Sequence, residues 1–145
     1  MRALIGLTLL LLLGGALAPP LHAADHDHPF VLIAHPDVPR GTCDEKTVRR
    51  IFLGKKTRWE GGLPVVPVML REGDLHEAFV EEMLDRTVSK FEVYWKQAVF
   101  TGRGIPPRSF ETEEELLAFV ASTPGAMGYV SEVAPLSGVK IVTCE

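Results

Sequence analysis

Residues 51–62, Ile51-Phe52-Leu53-Gly54-Lys55-Lys56-Thr57-Arg58-Trp59-Glu60-Gly61-Gly62, decide between two folds. A Gly-Lys-Lys-Thr run after apolar residues is either a nucleotide-gripping loop or the end of a helix. The spacing rejects the first. A Walker loop needs glycine five residues before its Gly-Lys, where Arg49 stands, and Ser or Thr directly after the lysine, where Lys56 stands. The helix reading accounts for every residue. Val48, Ile51 and Phe52 recur at helical spacing, and Thr42 with Glu45 forms a capping box ahead of them. Gly54 supplies a left-handed stop, and Lys55 and Lys56 suit the negative end of the helix dipole.

Working outward, Phe30 to Ala34 is a short apolar run halted by His35-Pro36 and reads as a buried strand. Leu63 to Leu70 reads as a second strand, with Pro67 marking an edge or an irregular ladder. Asp74 with Glu77 caps a helix carrying Leu75, Ala78, Phe79 and Met83, and Val88, Phe91, Trp95, Ala98 and Val99 form the apolar stripe of the next. Phe100 to Phe110 reads as a long loop. Thr112 with Glu115 opens a last helix through Leu116, Leu117 and Val120, and Glu113-Glu114-Glu115 reads as its solvated first turn. Ala126 to Val130 and Val139 to Thr143 read as closing strands. About four strands alternating with about four helices specify an α/β domain over residues 30–145.

The beginning of the chain reads as an export signal over residues 1–23. Arg2 precedes an apolar run that includes five leucines, Leu9 to Leu13, and Leu21-His22-Ala23 offers a small residue for cleavage, with Ala24 the alternative. The run is shorter than the roughly 20 residues of a spanning helix, so the processed chain is not expected to span a membrane. Arg2 is the only charged residue removed, which takes the formal net charge from −4 to −5. That acidity argues against nucleic acid as a partner but leaves room for a small anion held by local donors. Residues 24–29 read as a flexible leader. A periplasmic or secreted location makes Cys43 and Cys144 a disulfide pair, and they lack the CxxC spacing of a redox or metal site.

No G-x-S-x-G elbow and no H-E-x-x-H pair occurs, and no cofactor is implied, so the chain reads as a non-enzyme. Three polar clusters have ligand chemistry. In Thr101-Gly102-Arg103-Gly104 the glycines let backbone N–H groups approach a ligand, while Arg103 and Arg108 can bracket an anion. Arg71 precedes helix-opening N–H groups, which attract anions. His26, third from a chain beginning at Ala24, has the spacing for square-planar Cu or Ni, with His28 assisting. The plainer readings are a loop shaped by Gly and Pro, and a polar leader.

The ordered motifs Ile51–Gly62, Tyr94-Trp95, Phe100-Thr101-Gly102 and Pro124-Gly125-Ala126-Met127-Gly128-Tyr129 resemble the periplasmic phosphate-binding proteins of ABC phosphate importers, and more closely their short, single-lobe members. The resemblance covers about residues 30 to 143. It implies one lobe of a type II periplasmic-binding-protein-like fold, a solute-binding role toward phosphate or a related oxyanion in uptake or sensing, and an ABC transporter or envelope protein as partner. It points to a ligand site at Arg71, His76, Thr101, Gly102 and Arg103. Phosphate binders carry a Ser-Gly-Thr-type loop after the second strand, where this chain has Arg71-Glu72-Gly73-Asp74-Leu75-His76. His76 replaces the arginine of many short members only when protonated. A lobe that has kept the fold but docks another envelope protein is the alternative.

Overall fold

The computed structural model describes residues 28–39 and 43–144. Five strands, β1 (Phe30–Ala34), β2 (Val66–Leu70), β3 (Arg108–Phe110), β4 (Ala126–Ser131) and β5 (Lys140–Val142), form one sheet in the order β3-β2-β4-β1-β5. β2 runs parallel to both β3 and β4, and β1 runs antiparallel to β4 and β5. Four helices accompany it: α1 (Glu45–Phe52), α2 (Asp74–Ala78), α3 (Val88–Phe100) and α4 (Glu113–Ser122), with α2 continuing into a π turn at Phe79–Met83.

Side chains alternate faces along β4, which sorts the helices. A Cβ on Gly128 would meet Val68 and Leu116 of α4, so α4 covers that side. Tyr129 points the other way, stacked on Phe79 at 3.9 Å, and Phe30 and Phe52 meet Phe79 edge-on. These four aromatic rings, all buried, form the centre of the second layer.

The opening stretch is a helix end of the Schellman type. Gly54, at φ +68°, donates its N–H to Ile51 C=O, and Lys55 N–H reaches back to Arg50 C=O. Two further carbonyls of this end are taken by α3: the Tyr94 hydroxyl donates to Leu53 C=O (2.7 Å) and the Trp95 indole N–H to Phe52 C=O (3.2 Å). Trp95 also lies so close to Gly54 that a Cβ there would sit 2.8 Å from its ring. The indole over this turn is therefore Trp95. Trp59 instead donates to Gly125 C=O, 66 residues away, at 2.9 Å.

Several boundaries differ from expectation. Asp44 caps α1 by accepting from Thr47 N–H, whereas Thr42 lies outside the described residues. Asp74 is inside α2, and the cap position is Gly73, which has no side chain to offer. Val99 is exposed, at the margin of the α3 stripe. β3 occupies the end of the expected loop, where three residues pair with Val68–Leu70. Pro67 stands in an interior strand, yet costs no ladder bond. Val66 N–H donates toward β4, so the proline nitrogen faces β3, which begins one residue later, opposite Val68.

Thr112 caps α4 through Glu115 N–H, and the Glu115 carboxylate accepts from Glu111 N–H, a shifted capping box. Glu113 is not simply solvated: it accepts from the N–H and hydroxyl of Ser131, tying the start of α4 to the end of β4. Cys43 and Cys144 form the expected disulfide. Among the described residues no helix is long and apolar enough to cross a membrane.

Candidate functional site

In open α/β sheets ligands bind beyond the carboxyl ends of the strands. At that end of β2 and β3 stand Arg71 and Glu111, brought level by parallel pairing: Arg71 N–H donates to Phe110 C=O (2.9 Å), and the two side chains form an ion pair. Both side chains are more than half exposed. The flanking sequence is acidic, with Glu72 and Asp74 following Arg71 and Glu114 and Glu115 following Glu111, all exposed. Arg71 is thus the one cation of the β2–α2 turn, already engaged by an acid.

His76, the third residue of α2, is buried, and its Nδ1 lies 3.0 Å from the Tyr129 hydroxyl. That hydroxyl accepts the Leu70 N–H at 3.2 Å, a donor on the side where β4 no longer pairs beyond Pro67. The Tyr129 proton is then available to a neutral imidazole. Burial pushes the His76 pKa below its ordinary 6.5, with Glu92 and Glu77 pulling weakly the other way. Burial also pushes the Tyr129 phenol upward, so the pair is neutral through physiological pH. Tyr129 was absent from the sequence-level candidates; only the coincidence of a strand aromatic with a helix histidine would have exposed it.

A stability consequence follows. An unfolded chain binds a proton at His76 more readily than the folded one, so stability is full above the ordinary histidine pKa of 6.5 and falls as pH drops below it. Denaturant midpoints measured from about pH 8 down to about pH 5 should show that fall, and His76→Gln should flatten it. An equally steep fall in the variant would assign the effect to other groups.

Thr101, Gly102 and Arg103 form a second Schellman end. Gly102 (φ +66°) donates to Val99 C=O and Arg103 N–H to Ala98 C=O, while the Thr101 hydroxyl donates to Gln97 C=O at 2.8 Å. Their backbone donors are engaged within α3, at its electronegative end. Among the described residues no hydrogen bond or ion pair joins this group to Arg71 or His76. Arg108 lies over the rings of Phe110 (5.3 Å) and Phe119 (4.9 Å). His28 pairs with Glu82 and stacks on Phe30, and His35 Nδ1 accepts from Asp37 N–H at 3.1 Å. His26 lies outside the described residues, among which no cluster of three or more potential metal ligands occurs.

No family model and no curated protein matches the chain. Solved structures do. An ABC-type phosphate transport receptor from Vibrio cholerae superposes with a TM-score of 0.60 at 12% identity, over 80% of this chain and 46% of the receptor. A putative phosphate ABC transporter substrate-binding protein from Clostridium perfringens, solved with bound phosphate, superposes with a TM-score of 0.62 at 19% identity, over 80% and 44% respectively. The chain spans less than half the length of either. At such identities the likeness is one of fold, and it defines the architecture: mixed α/β, matching one lobe of a phosphate-receptor-type periplasmic-binding-protein fold.

Proposed function

We propose that this protein is an exported, non-enzymatic solute-binding domain whose ligand is a small oxyanion, phosphate being the first to test, acting in ABC uptake or sensing. The observation that carries the reading is the superposition of 80% of the chain on receptors for phosphate transport, one holding phosphate. Arg71 is the centre of the proposed site, at the carboxyl end of β2. His76 adds a buried neutral imidazole from α2. Thr101, Gly102 and Arg103, which no hydrogen bond or ion pair among the described residues joins to Arg71, are a separate, subsidiary surface. An oxyanion has to displace Glu111 from Arg71, so affinity should be modest.

Calorimetric titration with phosphate, sulfate and related oxyanions tests this. Binding at millimolar ligand should be lost in Arg71→Ala and strengthened about tenfold in Glu111→Gln, which frees the guanidinium. Absence of heat and of thermal stabilisation with every oxyanion would sink the proposal. One feature favours a second reading, a docking module for an envelope protein: the carboxylates around Arg71 repel free anions. Ligand silence together with specific capture of a membrane transporter or sensor component would establish that alternative.

A further inference from the structure

Four of the large apolar side chains left in solvent lie on α3 or in the loop after it: Val93 (51% exposed), Val99 (53%), Phe100 (92%) and Ile105 (88%). Exposed apolar side chains gathered on one helix and the loop after it point to an interaction surface. Val93, Lys96 and Phe100 fall on one stripe of α3, spaced three and four apart. Two shallow grooves flank it. One, of about 350 Å³, is walled by Arg86, Ser89, Lys90, Val93 and Tyr94, with the Arg86 guanidinium lying 5.2 Å over the Tyr94 ring as its floor. The other, of about 620 Å³, is bordered by Trp95, Val99, Phe100 and Pro106, with Glu92 and Lys96 at its rim.

The stripe therefore carries a knob near its end, Phe100, and a hollow near its start, between Arg86 and Val93. A surface holding both a projection and a receptacle fits itself when turned about a two-fold axis. We propose that the occupant of this face is a second copy of the same chain, packed α3 against α3 in antiparallel orientation. An axis at the level of Tyr94 brings Phe100 of each copy to the level of Val88 of the other, over the groove floored by Arg86 and Tyr94. The same axis sets Glu92 of each copy opposite Lys96 of the other. One choice of axis thus satisfies the apolar fit and the charge pairing together. Aromatic knobs over guanidinium and phenol faces are favourable pairings, and the two Glu–Lys contacts fix the register.

Sedimentation equilibrium of the purified protein, from micromolar to sub-millimolar concentration, tests the proposal. A reversible dimer is expected. Phe100→Asp should leave only monomer, with an unchanged thermal melt at dilutions where the parent is also monomeric, because the ring is 92% exposed. Glu92→Lys alone places lysine against lysine across the axis and should weaken association about tenfold. The double variant Glu92→Lys/Lys96→Glu restores opposite charges across the axis and should recover it. A monomer throughout the range overturns the proposal, as does a dimer indifferent to Phe100→Asp or a double variant no better than the single one.

Discussion

Replacing Gly125 by alanine is expected to lower folding stability by about 3–5 kcal/mol, read as a shift in denaturant midpoint. Gly125 sits at φ +82°, where a side chain costs about 1–2 kcal/mol on its own. An added Cβ would also lie 2.0 Å from the Pro64 carbonyl oxygen and 3.3 Å from Leu63 Cγ. Pro64 is backbone, so no rotamer change relieves the contact; the entry to β2 must move. That movement strains two bonds on the Gly125 carbonyl, from Val66 N–H (3.0 Å) and the Trp59 indole (2.9 Å), each contributing about 1 kcal/mol. Gly62→Ala is the control: φ there is +92°, but nothing lies within 4 Å of its Cβ. It should show the backbone cost alone. Equal losses in the two variants would mean that the close approach to Pro64 is not what demands glycine.

The comparison also shows why the Pro124-to-Tyr129 motif was legible while its purpose was not. A glycine between proline and a strand announces a turn. That the turn receives Trp59 from 66 residues earlier is a tertiary fact that no local spacing encodes. The α1 end was the most readable feature, because Schellman geometry needs only a glycine at the right offset; Phe-Thr-Gly-Arg closes α3 in the same manner, yet its glycines read equally well as a ligand loop. N-caps were less so. Several Ser, Thr and Asp residues compete near each start, and Asp44 prevailed over the reading at Thr42. β3 was invisible for a further reason. Three residues after Pro106-Pro107 have no period to detect, and only β2 beside them makes a strand.

The candidate site divides the same way. Arg71 and its position after a strand were plain in the sequence. Its partner Glu111, 40 residues on, is delivered by the β2–β3 pairing. His76 was legible as a polar residue at a helix start, but its burial against Tyr129 depends on where β4 leaves β2. Charge state is the property hardest to see from the chain alone, since it follows from desolvation rather than from neighbours in sequence.

Removal of the Cys43–Cys144 disulfide should cost about 4–5 kcal/mol in the chain-entropy model, because the two residues are separated by 101 positions. Against the roughly 5–15 kcal/mol typical of a domain, that is about a quarter or more of the whole. The bond joins the residue preceding the α1 cap to the second residue past β5. β5 has only three residues, lies at the sheet edge and pairs with β1 alone, and its Ile141 is exposed. Besides that ladder and the disulfide, it is held by the Lys140 ammonium donating to the Val38 carbonyl and by Val142 packed on the core. The Cys43→Ser/Cys144→Ser variant should therefore show two effects of different reach. Global stability should fall, with a larger denaturant slope as the unfolded chain expands. The β5 amides should also exchange through local fraying, while amides of the β1–β4 ladder still open only with global unfolding. Parent protein held in reductant should reproduce both effects. A variant within about 1 kcal/mol of the parent would show that the unfolded chain gains little freedom when the loop is opened.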